Sequence, residues 1–147
     1  MCGIAVYNNT FIDLPFPMAC FKVLIGEQPN LEDLREWEPE TAQSLEIMLN
    51  WDEEKMGTLE EVMCRTFTAD LELFGEITQK DIKEGGSNIP VTKDNVVEFV
   101  RLFIDFHFRK QCEGQLASFK KGFERLIEMP VVKSLFDAAE VETLICG

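Results

Sequence analysis

An α+β fold, mainly helical with a small β-containing subdomain, is predicted by three features of the sequence. Apolar residues recur at spacings of three and four along most of the chain, as in Val96, Phe99, Val100, Phe103 and Ile104, the buried stripe of an amphipathic helix. Residues 63–86 depart from that period. There MCRTFTADLELFG and EITQKDIKEGG alternate, with turn residues at Gly75, Gly85 and Gly86, and read as short strands. With 147 residues, 46% of them apolar, the chain can build one globular domain or two small packed subdomains.

Taken in order, GIAVYNN is apolar and stops at Asn8 and Asn9, which suits a helix end or a turn. LPFP at 14–17 excludes regular helix across it, but Pro17 suits a first helical position, and PMACFKVLIG reads as a short apolar helix closed by Gly26. Asn30 is the N-cap candidate of a short helix carrying Leu31 and Leu34. A second helix starts near Pro39 and Glu40 and runs to about Asn50, with Leu45, Met48 and Leu49 apolar. The acidic WDEEK that follows reads as a solvated loop. Met63 is expected on or beside the first strand, and Cys64 on it, in the core.

IPVTKDN forms a helix entry, with Thr92 as N-cap and Asp94 in the first turn of the Phe-rich helix. Leu116, Phe119, Phe123, Leu126 and Ile127 repeat the helical spacing, and the pattern leaves open whether Gln111 to Gly114 interrupts it. Met129 and Pro130 end that stretch. Asp137 with Glu140 has the form of a capping box leading into VETLICG. An opening and an ending inside apolar helical pattern read as cut points within a longer chain.

The composition narrows the function. Twelve Phe stand against two Trp and one Tyr, and Phe supplies buried area without needing a polar partner. The formal charge of −13 repels phosphate backbones, so nucleic acid is not expected as a partner. From Glu27 to Glu61 twelve acidic residues face only Arg35 and Lys55, whereas from Arg109 to Lys133 six basic residues outnumber three acidic ones. The acidic block would attract a basic partner or simply keep the chain soluble. Five cysteines without a CxxC pair, and a single histidine, argue against a disulfide framework and a zinc knuckle. A cytoplasmic setting, extending to the nucleus, fits that usage. No apolar run reaches a membrane span and no secretory leader is recognisable.

Enzymatic motifs are missing from the sequence: no HExxH, P-loop, dinucleotide fingerprint or nucleophile elbow occurs. His107 reads as structural or exposed, Cys112 beside Arg109 and Lys110 as an ordinary thiol, and Asp13 in FIDLPFP as a backbone acceptor. No catalytic residue, cofactor or metal is assigned.

Several separated strings, in order, carry more than composition does. GIAVYNNTFIDLPFPMACFKVLIG, TADLELFGEITQKDIKEGGSNIPVTKDNVVEFV, QLASFKKGFERL and LFDAAEVETLICG together resemble the amino-terminal lobe of HECT ubiquitin ligases, nearest the HERC subgroup, from about Gly3 to Gly147. The resemblance implies a large helical subdomain, represented by residues 1–27 and 110–147, and a smaller one, 28–109, that docks a ubiquitin-conjugating enzyme. It further implies that the catalytic cysteine, which would accept ubiquitin as a thioester and pass it to substrate lysines, lies in a separate carboxy-terminal lobe and is none of the five here. The fragment alone would then be inactive, and its incomplete body would favour self-association.

Carried over position by position, the resemblance implies that Leu45 and Leu49 are apolar contacts on the docking helix. Leu116 falls where many members have a groove-lining Phe, a loss of area and of a ring face, and Met63 is a further contact. Leu45 and Leu49, four apart, share a helical face; the alternative for each residue is plain core. For the whole chain the alternative is a non-catalytic helical scaffold or interaction module with no role in ubiquitin transfer.

Overall fold

The computed structural model describes residues 17–73, 75–111, 117, 121–122, 124–125 and 129–146. The expectations for GIAVYNN, Asp13, Cys112 and the 116–127 stripe lie outside the described residues. The described residues form helices and a single two-stranded antiparallel sheet, the α+β class expected. The chain divides into two compact units, one of Met1–Pro29 with Phe108–Gly147, the other of Asn30–His107.

In the first unit, α1 (Met18–Ile25) starts directly after Pro17, whose missing N–H has no intrahelical role there, and stops at Gly26 in the left-handed region (φ 83°). The Gly26 and Glu27 N–H groups donate to the carbonyls of Val23 and Lys22, which closes the last turn. Two more helices, α7 (Met129–Leu135) and α8 (Ala138–Cys146), belong to this unit. The expected capping box is present, with Asp137 N–H donating to Glu140 Oε2 at 2.9 Å and Glu140 N–H to Asp137 Oδ1 at 2.8 Å. Phe21, Leu24 and Ile25 of α1 pack with Val132, Ala138 and Val141 to form the core of the unit.

The second unit opens with α2 (Leu31–Trp37), started by a reciprocal cap. Asn30 Oδ1 accepts from Asp33 N–H at 3.1 Å, and Asp33 Oδ2 accepts from Asn30 N–H at 2.7 Å. Helix α3 (Pro39–Leu49) follows after Glu38 alone, with proline in its first turn. WDEEK is solvated at Glu53, Glu54 and Lys55, as expected, but it is not a loop. Trp51 is buried, and its indole N–H donates to the Gly57 carbonyl at 2.9 Å, so the acidic stretch is drawn over it as α4 (Glu53–Met56). Helix α5 (Leu59–Met63) comes next, with Glu53 Oε1 accepting from Leu59 N–H. Met63 therefore ends a helix and lies on no strand. Cys64 is exposed in the left-handed region (φ 47°), a correction to its expected place in a strand core.

Strands β1 (Thr68–Leu73) and β2 (Glu76–Asp81) pair in register from Thr68 with Asp81 to Leu73 with Glu76, turning at Gly75. Every residue of β2 is exposed, whereas Phe67, Thr68 and Ala69 at the root of β1 are buried. Phe67 is the knot. Its N–H is shared by the carbonyls of Gly86 and Ile89, and its carbonyl accepts from Ile82 N–H. Val96–Gln111 then forms α6, starting later than Thr92 would dictate. Asn95 reaches back, accepting from Thr92 N–H and donating to the Pro90 carbonyl, and so holds a separate turn ahead of the helix.

Gly86 illustrates how tightly the root of the hairpin closes. A Cβ there would lie 2.1 Å from the Phe67 carbonyl oxygen, whereas one at Gly85 would meet nothing within 4 Å. Gly86→Ala is expected to cost at least about 2 kcal/mol because backbone must move. Gly85→Ala should cost only about 1 kcal/mol for its left-handed backbone. Urea unfolding of the two variants measures the difference.

Candidate functional site

The face that α3 turns inward carries Ala42, Leu45 and Met48 at three-residue steps. Opposite it, α6 presents Phe99 and Phe103. Between these helices lies an open cavity of about 330 Å³, lined by Glu40, Thr41, Ser44, Leu45, Met48, Met63, Arg65, Phe99 and Phe103. Its floor is apolar and fixed by core packing: Leu45, Met48 and Phe99 are buried, while Met63 and Phe103 are half-buried. Glu40, Ser44 and Arg65 are exposed at its lip.

Three rings at four-residue spacing on α6 continue a ladder that starts at the hairpin. Phe67 meets Phe99 edge-on at 5.4 Å between centroids, Phe99 meets Phe103 at 5.8 Å, and Phe103 stacks on His107 at 6.2 Å. Lys83 covers the far face of the ladder, its ammonium 5.4 Å from the Phe67 centroid and 2.7 Å from Glu98 Oε1. At the other end His107 Nε2 lies 3.5 Å from Glu38 Oε1, and the other Glu38 carboxylate oxygen accepts from Thr41 Oγ1 at 3.0 Å. Glu38 thus joins the start of α3 to the ladder.

The C-terminal end of α3 has no basic residue of its own in the last turn. Lys93 supplies one from the approach to α6, its ammonium donating to the carbonyls of Trp51 at 2.7 Å and Leu49 at 3.3 Å. A cation on otherwise unused helix carbonyls is favourable. On the third side of the groove, the left-handed turn at Cys64 sends that residue outward and leaves Met63 and Arg65, on either side of it, at the groove wall. Arg65 is anchored through its carbonyl, which accepts from Val91 N–H at 2.8 Å.

Of the residues singled out from sequence, Leu45 is 4% exposed and forms part of the floor, and Met63 lines the wall. Leu49, half-buried on the same helix, is not among the lining residues, and Leu116 lies outside the described residues. Met48, Phe99, Phe103, Arg65 and Glu40 were not legible as site residues. Met48 follows Leu45 by three and could have been found from that spacing. The two phenylalanines carry only the signature of core.

The HECT-domain (ubiquitin-transferase) family profile matches residues 1–147. The chain belongs to this family. It is 36% identical over 146 residues to the human probable E3 ubiquitin-protein ligase HERC3, an alignment covering 99% of this chain and 14% of that protein. It is 33% identical over 147 residues to the probable E3 ubiquitin-protein ligases HERC4 of human and rat, covering 100% of this chain and 14% of each. The chain thus spans about a seventh of the length of these relatives, and the HERC resemblance seen in its motifs holds across the whole of it.

Burial lowers the His107 pKa below its ordinary 6.5, and the nearby Glu38 carboxylate opposes that only in part. Desolvation outweighs the short Glu38 contact, so at neutral pH the two meet as imidazole and carboxylate and not as an ion pair. Because the folded pKa lies below the unfolded one, the unfolded chain binds the extra proton first. Stability is therefore complete above 6.5 and erodes as pH falls through the interval down to the folded pKa. Melting curves across that interval should show this slope in the natural chain and a shallower one in His107→Leu.

Proposed function

We propose that this HECT-family chain recruits a ubiquitin-conjugating enzyme, receiving an apolar side chain of that enzyme in the groove between α3 and α6. The observation that carries this reading is the groove itself: open, apolar-floored and shaped by residues whose positions the core already fixes. A cavity of about 330 Å³ is at the small end of the range for binding sites and suits one or two inserted side chains. Leu45, Met48 and Met63 are the apolar contacts; Leu49 and Leu116 extend them in this reading, and the Asn30–His107 unit is the docking subdomain.

Charge supports the same assignment. Nineteen acidic and seven basic residues fall between Asn30 and His107, against eight and seven in the rest of the chain. Nearly the whole net charge therefore sits on the unit that holds the groove, and it would steer a partner with a basic face toward it. In the parent ligase, a thiolate outside this chain would attack the conjugating enzyme's thioester, releasing that enzyme's thiol. A substrate lysine would then take the ubiquitin carbonyl as an isopeptide and free the ligase thiol. Docking is the step assigned to this chain, in the cytoplasm and nucleus.

Ser44 is exposed at the lip, so Ser44→Trp fills the groove without touching the core. Calorimetric titration with a panel of conjugating enzymes should find at least one that binds the natural chain and binds Ser44→Trp at least about tenfold more weakly. Gln43→Trp, exposed on the same helix and away from the lining, should bind as the natural chain does. Equal affinities for all three would exclude the groove as the docking site.

A further inference from the structure

Two opposite charges at the groove lip, Glu40 and Arg65, are unspent. Among the described residues, neither makes a side-chain hydrogen bond or an ion pair, although Arg35, Lys55 and Lys83 in the same unit are each held by a carboxylate. Among the described residues Arg65 is moreover the one cation lining the groove, in a unit where acids outnumber bases nineteen to seven. It follows the exposed Glu60 and Glu61 by five and four residues and pairs with neither. Its backbone is pinned by the bond from Val91 N–H, so its Cα cannot drift from the wall.

An acidic field draws in any basic surface, and so selects poorly among basic partners. A cation whose backbone is held beside the insertion point discriminates, because a Lys or Arg next to the inserted side chain would be forced against it with its water removed. A carboxylate at that place would instead gain a partner whose planar, always-charged fork suits it. Glu40, on the opposing helix, sets the complementary requirement on its own side.

We infer that Arg65 is a specificity-determining residue of the groove, selecting a partner loop in which the inserted apolar side chain is flanked by a carboxylate that pairs with the guanidinium. This rests on the docking reading above and adds to it the chemistry of the occupant: broadly basic, with one acid at the insertion point. The basic surface governs approach, and the acid fixes register.

The test is a charge-swap cycle on the 147-residue chain with a conjugating enzyme that binds it and carries an Asp or Glu beside the apolar residue of its docking loop. Arg65→Glu should weaken that complex roughly five- to tenfold, a rim-charge effect with repulsion added. Changing the partner's acid to Lys should weaken binding to the natural chain similarly, and combining the two changes should recover most of the affinity. Arg65→Gln, which removes charge without reversing it, should fall between. Melting temperatures of the exposed Arg65 variants check that folding is retained. Additive losses with no recovery would overturn the assignment of Arg65 while leaving docking intact. Insensitivity of the same complex to both Arg65→Glu and Ser44→Trp would overturn both.

Discussion

The aromatic ladder from Phe67 through Phe99 and Phe103 to His107 is the constraint on which the groove depends. Phe67 and Phe99 are essentially without solvent exposure, and truncating either to Ala in such a setting typically removes about 3–5 kcal/mol. Their contact couples the hairpin root to the long helix. The same helix then offers the outer side of Phe99 and Phe103 to the cavity. A surface made this way is held by core energetics, so a ligand need not order it on arrival.

One end of the ladder is held by an ion pair and the other is met by a polar contact, each from a position far apart in sequence. Lys83 sits over the first ring and bonds Glu98; Glu38 approaches His107 while accepting from Thr41. Lys93 performs a related task for α3, drawing together the carbonyls of Leu49 and Trp51. The exposed ion pairs contribute little each. Their use lies in geometry: α3, α6 and the turn after α5 converge on one cavity with fixed spacing, which is what recognition of a single inserted side chain requires.

Local rules made much of this legible in advance. Gly26, Asn30, and Asp137 with Glu140 are caps whose chemistry is contained within a few residues, and they stand where the sequence put them, whereas Pro17 stands one position ahead of its expected place in the first turn. The α+β class and the turn at Gly75 were readable for the same reason. The failures share a physical origin too. Trp51 buries itself through a bond to Gly57 and converts an acidic loop into helix; Cys64 takes a left-handed turn that propensity does not announce; Asn95 overrides Thr92 by reaching Pro90. Each depends on a longer-range closure or a strained backbone. The groove was half-visible: Leu45 and Met63 came from family likeness, whereas Arg65 and Glu40 acquire meaning only once α3 and the turn after α5 share a cavity.

Methionine methyl groups allow the central claim to be tested directly. Met48 and Met63 line the groove, and Met56, in the same unit, is exposed without lining it. With methyl-labelled methionine, addition of a conjugating enzyme that binds should shift the Met48 and Met63 resonances in a saturable way and leave Met56 in place. Saturable binding that moves Met56 while Met48 and Met63 stay still would contradict the account, because the partner would then be seated elsewhere on the unit.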